Sequence, residues 1–353
     1  MNRNMKATIA SVFDGLARHA SLRGSVVPAL PVGAYRTIFG DADEQARLVG
    51  VVAGDMFRAN SHVAMGVFQY NDEYFVGLMG FDFEPELPEL SLADVDAGVG
   101  LVMLSEFAAT PKASAPEIAN VVGAASSVDK DYIGHDFAAI QRLYPSLQLF
   151  DVMPGSMGST GWPILLKAAS SEAAMGSSWI GVSLQQAIHE LAGLEAREFP
   201  YEALCRAVFD LDPRSLFMAL YRCVEATYAR DACESLRTEL GLEKSWYEIA
   251  TALDRALGWR APEASSINRT LEHADEADLH AICGCLKVEP TEDMPVAAGR
   301  AIYKLRNKIV HFRAGDDQNY AAAMDWELLC THLARIVGGV YGSAFRLSEA
   351  DVS

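Results

Sequence analysis

The stretch VAMGVFQYNDEYFVGLMGFDF, residues 63–83, decides the fold class of the first part of the chain. Two runs rich in valine, phenylalanine and tyrosine lie on either side of Asn71-Asp72, a pair that favours a tight turn. The pattern predicts a β-hairpin, so the N-terminal part of the protein must contain sheet structure.

On either side of this hairpin, apolar residues recur at helical spacing in some segments and at strand spacing in others. This indicates an α+β domain over residues 1–198. Further strands are predicted at GVGLVMLSEF (98–107) and LQLFDVM (147–153). Helices are predicted at EQARLVGVVAGDMFRAN (44–60, capped by Asp41), HDFAAIQRLY (135–144) and SLQQAIHELAGLE (183–195). The acidic stretch EPELPELSLADVDAG (84–98) and GSMGSTG (155–161) are expected to be loops. No family can be assigned to this part from its residues.

From about residue 200 the pattern is helical throughout. Asp212-Pro213 is a strong start signal, and the helix that follows should end at Gly241. Further helices are predicted at KSWYEIATALDRAL (244–257, ending at Gly258), at 267–286, from Thr291 to residue 312, and in a last segment ending near residue 345. Five helices with short connections predict a helical bundle over residues 199–353.

The composition excludes several classes of protein. With 29 basic and 47 acidic residues the formal charge is −18, so a general nucleic-acid coat protein is excluded and any RNA contact must be a local patch. The chain has no signal-peptide pattern and no apolar run of 18 residues, which predicts no membrane span. All six cysteines lie in the second half, and we expect them to be reduced in a cytoplasmic protein.

One basic segment stands out in this acidic chain. RAIYKLRNKIVHFR, residues 300–313, carries no acidic residue and five cations, Arg300, Lys304, Arg306, Lys308 and Arg313. Apolar residues recur in it at helical spacing, so one face should pack into the bundle. Asn307 and His311 are four residues apart and share a face. Arg306 lies about 100° around the helix from Asn307, so it can flank the same site if the helix bends or ends there. The segment therefore gathers Arg, Asn and His near the end of a helix.

Arg306-Asn307-x-x-x-His311 resembles the R-x4-6-H signature of the HEPN superfamily, in its commonest form R-N-x-x-x-H. The first bundle helix contains Tyr221-Arg222-x-x-Glu225, which is similar to an aromatic-Arg-x-x-Glu segment of several bacterial HEPN domains. The resemblance covers about residues 200–345 and says nothing about residues 1–195.

The resemblance implies a metal-independent endoribonuclease, of a kind common in toxins and anti-phage defence, that acts as a homodimer with a composite site. In such an enzyme the 2′-OH of RNA attacks the neighbouring phosphate. His311 would transfer a proton, Arg306 would stabilise the charge on phosphorus, and Asn307 would orient His311 or bind the phosphate. Glu225 would support this site. Lys304, Lys308 and Arg313 would contact the RNA backbone, and neither metal nor cofactor is expected.

Each of these residues also has a simpler interpretation. Cations near a helix C-terminus complement the helix dipole, and the spacing of Arg222 and Glu225 also suits a surface pair. An alternative interpretation of the bundle is a non-catalytic dimerisation module that binds nucleotide, RNA or a protein partner. His280-x-x-Cys283-x-Cys285 has two of the residue types of a zinc site, but its spacing favours core cysteines.

The role of the N-terminal domain can be argued only from the toxicity of a ribonuclease in the cell and from the distribution of charge. An unregulated ribonuclease would be toxic, which suggests that residues 1–198 sense a regulatory ligand or protein. The acidic residues between Asp82 and Asp96 are expected to be a solvated loop, or alternatively a surface that covers the basic segment.

Overall fold

The computed structural model describes residues 5–38, 40–128, 130–176, 179–194, 199–289, 293–311 and 324–345. Contacts within the chain divide it into two compact units, Met1–Ala168 and Ala169–Ser353. The division lies inside a helix, 30 residues before the sequence-predicted boundary at 198/199. Among the described residues, no helix is both long and apolar enough to cross a membrane.

The first unit contains a five-stranded sheet in which every neighbouring pair is antiparallel. Its strands are β1 (Val52–Arg58), β2 (Ala64–Tyr70), β3 (Glu73–Met79), β4 (Leu90–Ala93) and β5 (Leu147–Val152), in the spatial order β1-β2-β3-β5-β4. Its helices are α1 (Met5–Leu22), α2 (Ala42–Gly50), α3 (Ala97–Glu106), α4 (Ala115–Gly123) and α5 (Phe137–Gln141). Apolar residues of α1, α3 and α4 pack with Phe68, Met79 and Leu149 of the sheet into one core.

The hairpin prediction is confirmed. Strands β2 and β3 pair from Ala64↔Met79 to Tyr70↔Glu73, with Asn71 and Asp72 as the turn. Both turn residues have positive φ, 49° and 65°, which is the backbone of a type I′ turn. The strand predicted at LQLFDVM is confirmed as β5, and its pairing with β3 extends the hairpin into the sheet.

Three predictions in this unit are wrong in whole or part. GVGLVMLSEF forms helix α3 instead of a strand. A continuous apolar run has no periodicity by which a helix could be distinguished from a strand. Gly98 suits the helical packing, because a Cβ atom there would lie 2.1 Å from the carbonyl oxygen of Glu44. The helix capped by Asp41 ends at Gly50, and the residues that follow pair with β2 as strand β1. The acidic stretch expected to be a loop contains edge strand β4.

Helix α6 (Trp162–Met175) crosses the division, and the second unit is helical throughout its described residues. Its helices are α7 (Val182–Ala192), α8 (Tyr201–Val208), α9 (Pro213–Ala226), α10 (Arg230–Leu240), α11 (Trp246–Leu257), α12 (Glu263–Leu271), α13 (Glu276–Cys285), α14 (Met294–Val310) and α15 (Trp326–Ala344). Helix α15 packs against α7, α9 and α13, and α14 packs against α12 and α13. The antiparallel sheet therefore precedes a part of the chain that is mainly helical, as predicted.

The local signals for helix ends are confirmed. Asp212 caps α9 through its carboxylate, and Gly241 and Gly258 end α10 and α11 in left-handed conformation. Two predicted long helices are each broken. The first divides after Ala226, where the Thr227 hydroxyl bonds back to the carbonyl of Val224 at 2.8 Å. The second divides before Asp275, whose carboxylate caps α13.

Candidate functional site

Helix α14 carries the signature residues on its last two turns. Asp293 caps its start, and Ile302 and Leu305 are buried, as the predicted apolar face requires. The predicted start at Thr291 lies outside the described residues. The helix ends at Val310, and His311 is its C-cap, with ψ 95° and an exposed side chain. Arg306 and Asn307 thus lie within the helix, and His311 lies where the chain leaves it.

Arg306 lies in a partly buried cluster of side chains from three helices. Its Nη2 is 3.7 Å from Oε1 of Glu225 on α9 and 3.9 Å from Oε1 of Glu263 on α12. Its guanidinium lies over the Tyr221 ring, 5.7 Å from the centroid. Only 19% of the Arg306 side chain is exposed, so these contacts hold it in one orientation.

The charges in this cluster do not cancel, because two carboxylates face one guanidinium. Burial raises the pKa of Glu225, and the nearby Glu263 carboxylate raises it further, against the opposing effect of Arg306. Burial also raises the pKa of Tyr221 to about 12, and its hydroxyl accepts a hydrogen bond from Tyr228 at 3.3 Å. Arg306 therefore lies in an environment that is acidic and partly dry.

The Nε atom of Arg306 is buried without a hydrogen-bond partner. Nη1 donates to Oδ1 of Asn307 at 2.9 Å, so the amide group of Asn307 has its donors left for other partners. A buried, unsatisfied donor costs free energy.

His311 lies beyond the last helical residue, so the helix does not set the direction of its side chain relative to Arg306. Its backbone is extended, with φ −106° and ψ 95°. The backbone N–H of His311 donates to the Asn307 carbonyl at 2.9 Å. In the described part of the chain its ring makes no hydrogen bond or ion pair. Arg306 therefore packs against α9 and α12, whereas the His311 ring is exposed beyond the end of the helix.

The predicted RNA-binding lysines lie on yet another side of α14. Lys304 and Lys308 line a cavity next to α13, whereas Arg306 faces α9 and α12. Arg313 lies outside the described residues. The alternative of a surface pair between Arg222 and Glu225 is not what forms: Glu225 lies 3.7 Å from Arg306, and the exposed Arg222 only lowers the pKa of Glu225 from a distance.

Two residues of the cluster were not expected from the sequence. Glu263 follows Pro262 in the first turn of α12. From the sequence, an acidic residue at that position indicates only a favourable interaction with the helix dipole. Tyr228 lies in the middle of a predicted continuous helix, which ends at Ala226 in the structure, and its hydroxyl donates to that of Tyr221. Neither residue carries a local signal of its role.

The core interpretation of the cysteine motif is confirmed for Cys283, which is fully buried. His280 is exposed, and its Nε2 lies 3.7 Å from Oε1 of Glu276. Within the described ranges, no group of three or more His, Cys, Asp or Glu side chains is placed to hold a metal ion.

Comparison of the chain with protein-family models, with curated proteins and with solved structures finds no match.

Proposed function

We propose that the protein is a metal-independent endoribonuclease of the HEPN type, acting as a homodimer whose composite site takes residues from both chains. The proposal rests on the R-N-x-x-x-H motif and on one observation, the orientation of Arg306. Its guanidinium is held by Glu225 and Asn307 on a partly buried surface, and this preorganises a planar cation for a phosphate.

The surroundings of Arg306 and His311 are the reason for the dimer. Arg306 is held against Glu225 and Glu263 of its own chain, whereas the His311 ring is exposed beyond the helix end, so we infer that a second copy completes the site. Across the two-fold axis, His311 of one chain would take the 2′-OH proton or give a proton to the leaving oxygen. Arg306 of the other chain would stabilise the charge on the phosphorane.

Glu225 fits a supporting role in this scheme. It positions Arg306, and the burial that raises its pKa makes its neutral form easier to reach when a phosphate approaches. The amide donors of Asn307 would then bind a phosphate oxygen. This activity matches a toxin or an anti-phage defence protein under regulation by residues 1–198.

The second candidate function is a non-catalytic dimerisation module that binds nucleotide, RNA or a protein partner. One observation favours it: Arg306 is engaged by two carboxylates of its own chain. If those ion pairs persist in the dimer, the guanidinium cannot stabilise a phosphorane, and its role is to hold α9, α12 and α14 together.

The test is cleavage of total RNA in EDTA by the full chain. We compare His311→Ala and Arg306→Lys, which keeps a cation between the two carboxylates, with His280→Ala and Arg300→Ala. The last two remove exposed residues of the same types in the same unit. All variants are purified in parallel and checked for folding by circular dichroism and for dimerisation by light scattering.

We expect cleavage that leaves 2′,3′-cyclic phosphate ends, lost by about 10²-fold or more in His311→Ala and kept in both controls. Equal cleavage by wild type and His311→Ala would overturn the assignment of His311. A folded wild-type dimer that cleaves no RNA would overturn the ribonuclease proposal and favour the non-catalytic dimerisation module.

A further inference from the structure

The two carboxylates that face Arg306 differ in how firmly they are held. Both contact the same nitrogen, Nη2, with Oε1 of Glu225 at 3.7 Å and Oε1 of Glu263 at 3.9 Å. The Glu225 side chain is 28% exposed, whereas the Glu263 side chain is 44% exposed. The contact of Glu263 with the guanidinium is therefore the longer of the two and the one that water screens more strongly.

Glu225 lies in the last turn of α9, and this helix is anchored in the core. Tyr221 and Val224, which precede it on the same helix, are both buried. The Glu225 carboxylate is itself desolvated enough that burial raises its pKa. Without Arg306 it would have no counter-charge in a partly dry place, which is costly. Glu225 is thus suited to stay on Arg306 and position it.

Glu263 is the first residue of α12, and this helix is held in place by residues further along it. Ile267 and Leu271 are buried, whereas Pro262 and Ser265 beside the first turn are exposed. The Glu263 carboxylate can therefore leave Arg306 by rotation of its own side chain into water, without movement of α12. It stays next to a helix N-terminus, where a negative charge is favourable.

We propose that Glu263 is an autoinhibitory residue, whose carboxylate lies on Arg306 in the free protein and must rotate away before an RNA phosphate binds there. The inference rests on the ribonuclease proposal above and deepens it, because it states how the same site is regulated. With both carboxylates in place, negative charge exceeds positive charge around the guanidinium, and this repels a phosphate. With Glu263 rotated away, the charges of Arg306 and Glu225 balance and that repulsion is gone.

A purely structural role for Glu263 predicts a different result when its charge is removed. If the carboxylate only joined α12 to α14, its loss would weaken the fold and leave the affinity for RNA unchanged or lower. An autoinhibitory carboxylate predicts a gain of affinity in a protein that stays folded. The sign of the change in affinity therefore separates the two roles.

The probe is a short, fluorescent RNA of mixed sequence with 2′-O-methyl groups, which lacks the 2′-OH nucleophile and so reports binding without cleavage. Fluorescence anisotropy measures its affinity for the full chain at about 0.15 M salt, where the Debye length is about 8 Å. Glu263→Gln is compared with Glu272→Gln, which removes the same charge from an exposed residue at the other end of α12, about 13 Å along the helix. Circular dichroism and light scattering check that each variant keeps the fold and the oligomeric state of wild type.

A second pair of variants asks whether the effect of Glu263 acts through Arg306. Arg306→Gln removes the cation, and Glu263→Gln is then made in that background. The double variant is compared with Arg306→Gln alone, because both contain the same loss of the guanidinium. The gain in affinity should fall to that of the Glu272→Gln control when Arg306 is absent.

We expect Glu263→Gln to bind the probe about fivefold more tightly than wild type, because one charge close to the phosphate is lost. Glu272→Gln should bind within about twofold of wild type, since salt screens a charge at that distance. The autoinhibitory role is overturned by an equal gain in Glu272→Gln, by a gain that persists without Arg306, or by a folded Glu263→Gln protein that gains nothing.

Cleavage of total RNA in EDTA by the same variants separates this inference from the ribonuclease proposal. Faster cleavage by Glu263→Gln at limiting RNA would support both. Tighter binding of the probe by Glu263→Gln, with no cleavage by any variant, would overturn the ribonuclease and support the autoinhibitory role in an RNA-binding module. Cleavage by wild type with no gain in Glu263→Gln would overturn the autoinhibitory role alone.

Discussion

The guanidinium of Arg306 on α14 lies 3.7 Å from the carboxylate of Glu225 on α9, two residues that are 81 positions apart in the chain. Glu263 of α12 completes the contact at 3.9 Å. This ion pair joins both parts of the sequence that resemble HEPN domains. It is also the contact on which the two candidate functions disagree, so its energetics can be measured independently of any activity.

Arg306→Ala should destabilise the fold by about 2 kcal/mol, because it leaves two carboxylates facing each other and uncovers the Tyr221 ring. Urea unfolding measures the loss. Arg300→Ala, an exposed arginine of the same helix, should cost less than about 0.5 kcal/mol. Equal losses in the two variants would mean that the ion pairs contribute nothing to the fold.

Glu225→Gln should gain stability relative to wild type as the pH rises. The pKa of Glu225 is raised above its usual value of 4.5 in the folded state, mainly by burial. Its favourable contribution is therefore complete below pH 4.5 and is lost as the pH rises through the folded-state pKa, whereas glutamine does not titrate. Urea unfolding at about pH 4 and about pH 8 gives the comparison, because this interval includes the whole titration of Glu225 from its unfolded-state value upward. A stability difference that does not change with pH would contradict it.

Asp278 on α13 and His332 on α15 form a partly dry pair, with Oδ1 and Nδ1 at 2.7 Å and only 13% and 16% of their side chains exposed. A double-mutant cycle with Asp278→Ala and His332→Ala should give a coupling energy of about 1–3 kcal/mol.

The pair Asp231–His273 is the matched control, at 3.4 Å with more than a third of each side chain exposed. Its coupling should be below about 0.5 kcal/mol, because water screens it. The ranking of the two cycles is the test, and a reversed ranking would show that packing, not this pair, joins α13 to α15.

Asp72→Gly should stabilise the β2–β3 hairpin by about 0.5–1 kcal/mol. Asp72 has φ 65°, where a side chain is strained and glycine is not. The substitution creates the Asn-Gly sequence that a type I′ turn prefers. Thermal unfolding should show a higher midpoint for Asp72→Gly and no gain for Asp72→Ala. A gain of the same size in both variants would point to loss of the carboxylate as the cause.

Gly241→Ala and Gly15→Ala should have opposite effects on stability. Gly241 ends α10 at φ 60° with nothing near its Cβ position, so alanine should cost about 1 kcal/mol in backbone strain alone. Gly15 lies inside α1 with equally open space, so alanine should stabilise by about 0.5–1 kcal/mol. Denaturant midpoints that move in the same direction would contradict this explanation.

The sequence-based predictions were correct where the interactions that form the structure join residues close together in the sequence. The Asp212 cap, the Gly258 helix end and the Asn71-Asp72 turn depend on a few neighbouring residues, and all three are confirmed. Helix α3 was wrongly predicted as a strand, because its apolar run of residues carries no periodicity and its packing partners are distant in sequence.

The candidate site shows the same division between local interactions and packing between distant residues. The sequence places Arg306, Asn307 and His311 at the end of one helix, and this is confirmed. The contact of Arg306 with Glu263 and the placement of Lys304 and Lys308 at another face were beyond sequence reasoning. They depend on where α14 packs among α9, α12 and α13.

By itself, then, the sequence determined the caps, helix ends and turn that near neighbours specify, such as Asp212, Gly258 and Asn71-Asp72, and that a cationic helix end with Arg, Asn and His exists in an acidic chain. Only the tertiary structure decided which side chains face one another. Caps and turns form through hydrogen bonds between near neighbours, and residue types alone specify them. The pairing of Arg306 with Glu225 depends on the packing of two helices 81 residues apart, and only the whole core specifies that packing.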